Sequence, residues 1–392
     1  MSSANGIKGT ANLGVTRKYD VADVISLLDV ARYPLLGILT NAGKDPATKQ
    51  GKALKKKETS DPDFKWFEDK FGAREDIVSA NQGAAVTLVV TNGAYFSIGD
   101  VLLVVKSAQG TNNPTGEVML VTNVATNTLT LVRQIGDGGS GGGLLQQNDI
   151  VWIIGNANEE GADLRTMKGT TIAEVLNYCQ IFRTTIGVTE TSRNTKGLTK
   201  ENDFDYQIRK KGIEHLVDIE RAFLFGKKEI ITSGTHPKRF TGGVLPRISQ
   251  VTSNVATRDD FNSYLRILFS HGNTEKYLLA SGYVIDKING FAHDKLQVLQ
   301  GEKTFGLTIL KYLSPHGTLN IIKHDLLAGD LYGKSGVGVD MEALTYRYLA
   351  NRDSKLLTNR QAPGEDSRVD EYLTECGLQM EQPERHAIVK FA

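Results

Sequence analysis

The sequence predicts an α+β protein in which one long helix supports β-sheets and a separate all-β module is inserted into the chain. Three observations lead to this fold class. Residues 199–226 have the pattern of a single long amphipathic helix. Residues 77–155 contain only strand and turn patterns. Mixed helical and strand patterns lie on both sides of that stretch, so we interpret it as an insertion.

The predicted long helix begins near Thr199 and ends at Gly226. At about 1.5 Å per residue it would be about 40 Å long, well above the length of an average helix. Apolar residues and one glycine recur every three or four positions and form a narrow stripe that we expect to pack beneath a sheet: Phe204, Ile208, Gly212, Leu216, Ile219 and Phe223. Charged residues, Glu220 among them, occupy the remaining positions. At Gly212 the missing side chain would let another backbone approach closely.

The stretch 77–155 predicts a small barrel or sandwich that folds on its own. Two of its segments, 98–103 and 147–152, resemble each other, because each is a polar turn with an aspartate that leads into an apolar strand. Short strands at this spacing are typical of small β-barrels and sandwiches. A length of about 80 residues is enough for an independent core. We expect Trp152 to be buried in that core.

The N-terminal part of the chain predicts segments that become ordered against neighbouring molecules. Residues 1–40 have the pattern of an extended arm followed by a short helix, and residues 41–76 that of an extended loop. Six residues of this loop are candidate inter-subunit contacts: Lys55, Lys56, Lys57, Phe64, Trp66 and Phe67. The alternation of Phe64, Trp66 and Glu68 is typical of one arm of an exposed hairpin. Exposed aromatic residues usually dock against a partner, whereas a lysine run is ordinary in a solvated loop.

Composition limits the classes of protein that the chain can belong to. The 392 residues are 40% hydrophobic, and 46 Lys and Arg against 45 Asp and Glu leave a formal net charge of +1. A dedicated nucleic-acid-binding protein would usually carry a basic surplus. The two cysteines, Cys179 and Cys376, are predicted to be buried free thiols. The longest apolar runs are far too short to span a bilayer, so we expect a protein without membrane contact that is made in the cytoplasm.

The motifs of the chain predict neither a catalytic residue nor a cofactor or metal site. Residues 328–335 nearly match a phosphate-binding loop, but Ala328 replaces the first glycine and strand-like sequence follows where a helix is needed. Residues 138–142 match a nucleophile elbow only formally, because they lie in a glycine run between two strands. The seven histidines lack metal-ligand spacing, and we interpret His215 as a surface or interface residue.

The order of these elements resembles the major capsid proteins of tailed bacteriophages, which have the Hong Kong 97-type capsid fold. The resemblance is carried by the lysine-rich stretch that leads to residues 63–69, by the helix over 202–226, and by residues 276–281 with the helix after them. It implies the following plan: an N-terminal arm and short helix at 1–40, an extended loop at 41–76, a peripheral domain with the spine helix at 156–255, an axial domain at 256–345, and a return to the peripheral domain over 346–392. The β insertion at 77–155 departs from this plan.

The resemblance implies a structural protein of the virion, and not an enzyme. Its subunits would self-assemble into hexamers and pentamers of an icosahedral head shell, with the portal and a scaffolding or decoration protein as further partners. The enclosed double-stranded DNA would be held by confinement, because the net charge is near zero. Two alternatives stay open: a phage attachment or decoration protein that binds a glycan or other ligand through the β insertion, and an enzyme with an unrecognised site. A shell protein would form very large particles, an attachment protein small oligomers, and an enzyme would show turnover.

Overall fold

A computed structural model of the chain describes residues 35, 55–81, 85–108, 111–136, 145–161, 163–165, 167–195, 203–292, 299–300 and 309–392. The helices in these ranges are α1 (Glu190–Asn194), α2 (Asp203–Phe225), α3 (Arg258–Leu268) and α4 (Gly282–Ala292). The arm and short helix predicted over 1–40 lie outside the described residues, apart from Leu35.

Most of the regular secondary structure in the described residues is β-strand. The strands, in chain order, are β1 (Lys55–Thr59), β2 (Asp63–Glu68), β3 (Glu75–Ile77), β4 (Thr87–Val89), β5 (Asp100–Ala108), β6 (Thr111–Ala125), β7 (Thr128–Val132), β8 (Ile150–Asn156), β9 (Ala173–Tyr178), β10 (Gln180–Thr189), β11 (Glu229–Ile231), β12 (Lys238–Phe240), β13 (Val251–Val255), β14 (Glu275–Ala280), β15 (Leu299–Gln300), β16 (Ile309–Ser314), β17 (Gly317–Lys323), β18 (Ser335–Val339), β19 (Leu344–Leu349), β20 (Lys355–Leu357), β21 (Ser367–Met380) and β22 (Ala387–Phe391).

The chain divides into two compact units. The smaller unit comprises residues 67–174, and the larger unit comprises the residues up to Trp66 and from Val175 onward. The predicted insertion at 77–155 lies inside the smaller unit. The unit is wider than the prediction at both ends, because it also contains the irregular segments that lead into β3 and out of β8.

The larger unit contains a seven-stranded sheet with the order β13-β22-β18-β14-β17-β16-β15. Successive side chains of its strands point alternately into two different hydrophobic cores. In β14, Leu278 and Ala280 belong to the core that includes α3 and α4, whereas Leu279 belongs to the core that includes the end of α2. The sheet therefore has its own side chains packed on both faces. Close packing explains Gly338 in β18, where a Cβ atom would lie 2.3 Å from the Tyr264 hydroxyl oxygen.

Two strands of this sheet correct the predicted domain plan. The predicted plan assigned residues 156–255 and 346–392 to the peripheral domain. Instead β22 pairs with β13 on one side and with β18 on the other, next to strands of the predicted axial domain. The prediction is wrong for these two strands, because an apolar strand pattern indicates burial but does not indicate which sheet provides it.

Lys276 joins α3 to the C-terminal part of the chain. Its side chain is fully buried, and Nζ donates to the carbonyl oxygens of Leu268 and His271 at 2.6 Å and of Arg385 at 2.7 Å. Leu268 is the last residue of α3, so the lysine satisfies a carbonyl group that the helix leaves without a partner. Burial lowers the pKa of Lys276 to about 8.

The second sheet of the larger unit has the order β1-β19-β21-β10, with β20 also paired to β21. Strand β21 runs antiparallel to β10 along ten residue pairs and then to β19, so it is the centre of this sheet. Helix α2 packs against β10 and β21. It is one continuous helix through Gly212 and ends one residue before the predicted Gly226; the predicted start at 199–202 lies outside the described residues.

The smaller unit is a closed barrel. Its strands have the order β3-β8-β5-β6-β7-β4, and a bridge between Val78 and Val90 joins the first strand to the last. Two hydrogen bonds complete this closure, from Thr91 N to Ile77 O at 3.0 Å and from Ser79 N to Val89 O at 2.9 Å. Buried aliphatic side chains from its strands fill the interior. The prediction of a small barrel or sandwich is confirmed as a barrel.

Trp152 does not lie in the barrel core. Its side chain is 43% exposed, whereas its neighbour Val151 is fully buried. Side chains of a strand point alternately to the two faces, so only one of the two neighbours can face the interior. The prediction that Trp152 is buried is wrong. A large aromatic residue is commonly buried, but the orientation of β8 directs Val151 into the core and Trp152 outward.

Candidate assembly surfaces

Two of the predicted contact aromatics are buried within their own chain. Strand β2 pairs with β9, and Phe64 and Trp66 pack with Cys179 in a small core of the larger unit. Arg347 lies over the Phe64 ring at 5.9 Å and Arg247 over the Trp66 ring at 5.1 Å. The prediction that these two rings are exposed is wrong. The alternation in β2 was recognised, but the covered face could be identified only from the tertiary structure.

Phe67 points to the opposite face of β2 from Trp66 and remains 71% exposed. It is therefore the member of the predicted aromatic group that is accessible to a second molecule. Its predicted role as an inter-subunit contact is therefore compatible with its position and can be tested.

The predicted lysine contacts differ from one another. Strand β1 runs parallel to β19, which places Lys56 over the rings of Tyr346 at 5.4 Å and Tyr348 at 5.1 Å. The Lys56 ammonium also pairs with the carboxylate of Asp353. Lys56 and Lys57 are both exposed, but Lys56 is already engaged in its own chain. The side chain of Lys55 lies outside the described part of the chain.

The most exposed apolar side chains lie in two irregular segments of the smaller unit, 69–74 and 157–172. Phe71, Leu164 and Met167 are fully exposed, and Ile172 is largely exposed. A hydrogen bond of 3.3 Å from the Thr170 hydroxyl to Asp69 links the two segments. Large apolar side chains that contact only water are unfavourable unless a partner covers them. Sequence reasoning missed these residues, although single apolar residues among polar ones were visible in both segments.

The predicted stripe of α2 is largely buried. Phe204, Ile219 and Phe223 are buried, and Ile208 and Leu216 are half-buried. Gly212 faces Tyr372 of β21, so that a Cβ atom there would lie 3.1 Å from the tyrosine oxygen. The tyrosine hydroxyl in turn donates to the carbonyl oxygen of Ile208 at 3.3 Å. The expectation of a close approach is correct, but a side chain approaches and not a backbone.

Two polar residues of α2 are buried, contrary to the prediction. His215 shares hydrogen bonds with the Thr184 hydroxyl at 2.9 Å and the Thr374 hydroxyl at 2.8 Å, and burial lowers its pKa. Glu220 is fully buried and pairs with His324 at 2.8 Å, and it accepts a hydrogen bond of 2.8 Å from Leu35 N. A polar residue is buried here because a partner across the sheet or in another segment satisfies it. The partner lies outside the helix, so the pattern of the helix alone could not predict this burial.

The two cysteines are buried free thiols, as predicted. Burial raises the pKa of Cys179 to about 12 and also raises the pKa of Cys376. A thiol with a raised pKa is a poor nucleophile at neutral pH. Both cysteines therefore serve packing in the larger unit.

The near-match to a phosphate-binding loop has no phosphate-binding geometry. Ser335, its last residue, begins β18, so a strand follows where the motif needs a helix. Within the described ranges, no group of three or more His, Cys, Asp or Glu residues is placed to hold a metal ion. No helix in those ranges is both long enough and apolar enough to cross a membrane. The glycine run at 138–142 lies outside the described residues.

The described chain combines two large sheets, a long supporting helix, a barrel module and exposed apolar segments. The family model of the SU10 major capsid protein matches residues 5–392. The chain belongs to this family. The major capsid protein of Pseudomonas phage PaMx41 is 24% identical over 272 residues, and the match covers 65% of this chain and 65% of that protein. The chain thus matches just under two thirds of the length of this relative.

Solved structures are similar over nearly the whole chain. One is the capsid of a native GTA particle, with 7% identity, 99% of this chain and 100% of that chain covered, and a TM-score of 0.49. Another comes from Mycobacterium phage Bobi, with 10% identity, 98% of each chain covered and a TM-score of 0.49. The predicted fold class, an α+β capsid fold with an inserted β module, is confirmed by this membership together with the observed elements.

Proposed function

We propose that the protein is the repeating subunit of an icosahedral phage head. Its subunits self-assemble into hexamers and pentamers, and the resulting shell encloses double-stranded DNA. The protein acts as a structural component of the virion and not as an enzyme, and it is made in the host cytoplasm. Membership of a major capsid protein family supports this proposal. The single observation that carries it is the pair of segments whose large apolar side chains face water in the separate subunit.

Further partners follow from the same proposal. The portal would occupy one vertex, and a scaffolding or decoration protein would assist or cover the shell. The DNA would be enclosed without sequence-specific contacts. Among the predicted contact residues whose side chains the structure describes, Phe67, Lys56 and Lys57 are exposed. Lys56 is already engaged in its own chain, so Phe67 and Lys57 are the candidates for contact with the neighbouring subunit.

Assembly of a matched pair of variants tests the proposal. We expect Phe71→Ser combined with Leu164→Ser to leave the subunit folded but to lower the yield of shells by at least about tenfold, because interface apolar residues contribute about 1 kcal/mol or more each and the contact repeats in every subunit. Leu331→Ser is the control, since Leu331 is a similarly exposed leucine of the larger unit. Light scattering after size-exclusion chromatography and electron microscopy measure the yield, and circular dichroism checks the fold.

Two outcomes would count against this view. A wild-type subunit that stays a compact monomer at high concentration would contradict the shell function. A double variant that forms shells as well as wild type would mean that the two segments are not contacts, and the observation that carries the proposal would be lost.

A further inference from the structure

The near-zero net charge of the chain hides a strong separation between the two units. Residues 67–174 contain 12 Asp and Glu but only 6 Lys and Arg, a net charge of −6. The remaining residues contain 33 acidic and 40 basic side chains, a net charge of +7. Opposite charges on two surfaces attract each other and favour one binding orientation over others. A shell subunit with this separation has complementary surfaces available for contacts between copies.

The barrel exposes an apolar surface with acidic residues beside it. Trp152 lies on the outside of β8, paired with exposed Glu75 of β3 on one side and with half-buried Leu103 of β5 on the other. Ile77 and Ile154 are exposed on the same two strands, β3 and β8. Exposed acidic side chains lie in the segment after β8, at Glu159 and Glu160. The barrel interior is already filled, so these outer side chains do not contribute to its core.

The larger unit exposes a hairpin of complementary composition. Strands β11 and β12 pair so that Ile231 and Lys238 lie opposite each other, and Ile231 and Phe240 are 40% and 37% exposed. Arg239 points to the other face and donates to Asp63 at 2.5 Å, which fixes the hairpin to its own unit. Lys227 precedes the hairpin and lines a cleft of about 280 Å³ together with Trp66 and Met380. The open face also carries Glu229 opposite Phe240, but exposed Lys227 and Lys228 precede it. Together with Lys238 they leave the hairpin and its flank apolar and basic, with three lysines against one glutamate.

We propose that, in the assembled shell, the acidic outer face of the barrel binds the basic hairpin of a second copy of this chain. Contact between two barrels would bring together two modules of −6 each, and contact between two hairpins would bring together two basic surfaces. A barrel–hairpin contact instead pairs opposite charges around apolar centres. Such a contact is heterologous, so it repeats around a ring of subunits. This inference rests on the proposed shell function.

Charge reversal in two separate chains tests the proposal. The barrel variant carries Glu75→Lys and Glu159→Lys, and the hairpin variant carries Lys227→Glu and Lys238→Glu. We expect each variant alone to form at least about tenfold fewer shells than wild type at moderate salt, because like charges then face each other. An equimolar mixture should regain six-membered rings, in which the two chains can alternate, as seen by electron microscopy. A ring of five cannot alternate, so closed shells should return only for a chain that carries all four reversals, in which barrel and hairpin are again opposite in charge. The control carries Lys355→Glu and Lys390→Glu, which make the same charge change at exposed positions of β20 and β22.

The outcomes separate this docking surface from the proposed function. Rescue of six-membered rings by mixing, with normal assembly of the control, supports the contact between copies. A mixture that forms no six-membered rings overturns it, and assembly of a chain with all four reversals would then place the contact within one chain. Wild-type yield from both single variants overturns the docking surface while leaving the shell function intact. A wild-type protein that never assembles contradicts the shell function itself.

Discussion

In the seven-stranded sheet both faces are covered by side chains of the same unit, whereas the barrel of the smaller unit has one covered face and one open face. Leu278 and Leu279 are neighbours in β14, and both are fully buried in different cores. Val151 and Trp152 are neighbours in β8, and only Val151 is buried. Apolar residues of the sheet therefore stabilise the subunit, while the outward apolar residues of the barrel are available for association.

The two regions also differ in the burial of their charged residues. Lys276 of the sheet is buried and satisfied by three carbonyl groups, which makes it a part of the core. The barrel buries the ion pair of Glu117 with Arg133, whereas the acidic residues of the segments beside it are exposed: Asp69, Glu159, Glu160 and Asp163. Exposed like charges contribute little to the stability of one subunit, but they act on every encounter between subunits. Mutations in the first region should thus change folding, and mutations in the second should change assembly.

The largest expected difference is between two phenylalanines. Phe223→Ala removes a fully buried ring from the core of α2 and should lower the free energy of unfolding by about 3–5 kcal/mol. Phe71→Ala removes a fully exposed ring and should change it by less than about 0.5 kcal/mol. Urea unfolding followed by circular dichroism, with hydrogen exchange in α2, measures both. Equal destabilisation by the two changes would contradict the division between folding and assembly residues.

The next effect concerns the buried lysine. Lys276→Met should lower the stability of the larger unit by about 3 kcal/mol, because three buried carbonyl oxygens lose their donor. Lys390→Met, at an exposed position of β22, is the control and should be nearly neutral. Thermal melting of the subunit distinguishes them. A stable Lys276→Met variant would show that the carbonyl groups find other partners, and that the lysine is not required by the sheet.

A smaller effect should depend on pH. Burial lowers the pKa of His386 from 6.5 to about 3, so the folded state binds this proton less well than the unfolded state does. Both states are neutral above about pH 6.5, and stability should fall as the pH decreases from 6.5 toward 3. Between pH 6.5 and 5 we expect wild type to lose about 1–2 kcal/mol more than His386→Gln, which cannot titrate. Parallel pH profiles of the two proteins would contradict this assignment.

The smallest effect tests the two faces of one strand. Val151→Ala should destabilise the barrel by about 1–2 kcal/mol through a cavity in its core, whereas Trp152→Ala should change its stability by less than about 0.5 kcal/mol. Trp152→Ala should nevertheless weaken assembly, since the indole lies on the proposed docking surface. Hydrogen exchange in the barrel strands and particle yield measure the two effects. A barrel that melts when Trp152 is truncated would place this residue among the folding residues.

The sequence alone was enough to predict the helices and strands that are determined by residues close together in the chain. The helix over 203–225 follows from its apolar period and lack of proline, and the barrel strands follow from short apolar runs between turns. Burial of both cysteines follows from their residue type and neighbours. These features depend on residues close together in the chain, so one sequence contains the information.

The tertiary structure decided which face of each element is covered and by what. Phe64 and Trp66 alternate as predicted, but only packing in the larger unit shows that their face is buried. Glu220 and His215 are buried because His324, Thr184 and Thr374 supply partners from distant segments. The net charge of +1 could be separated into an acidic and a basic unit only once the boundaries of the units were known. Local sequence determines the conformation of an element, whereas burial and pairing depend on residues that only the folded chain brings together.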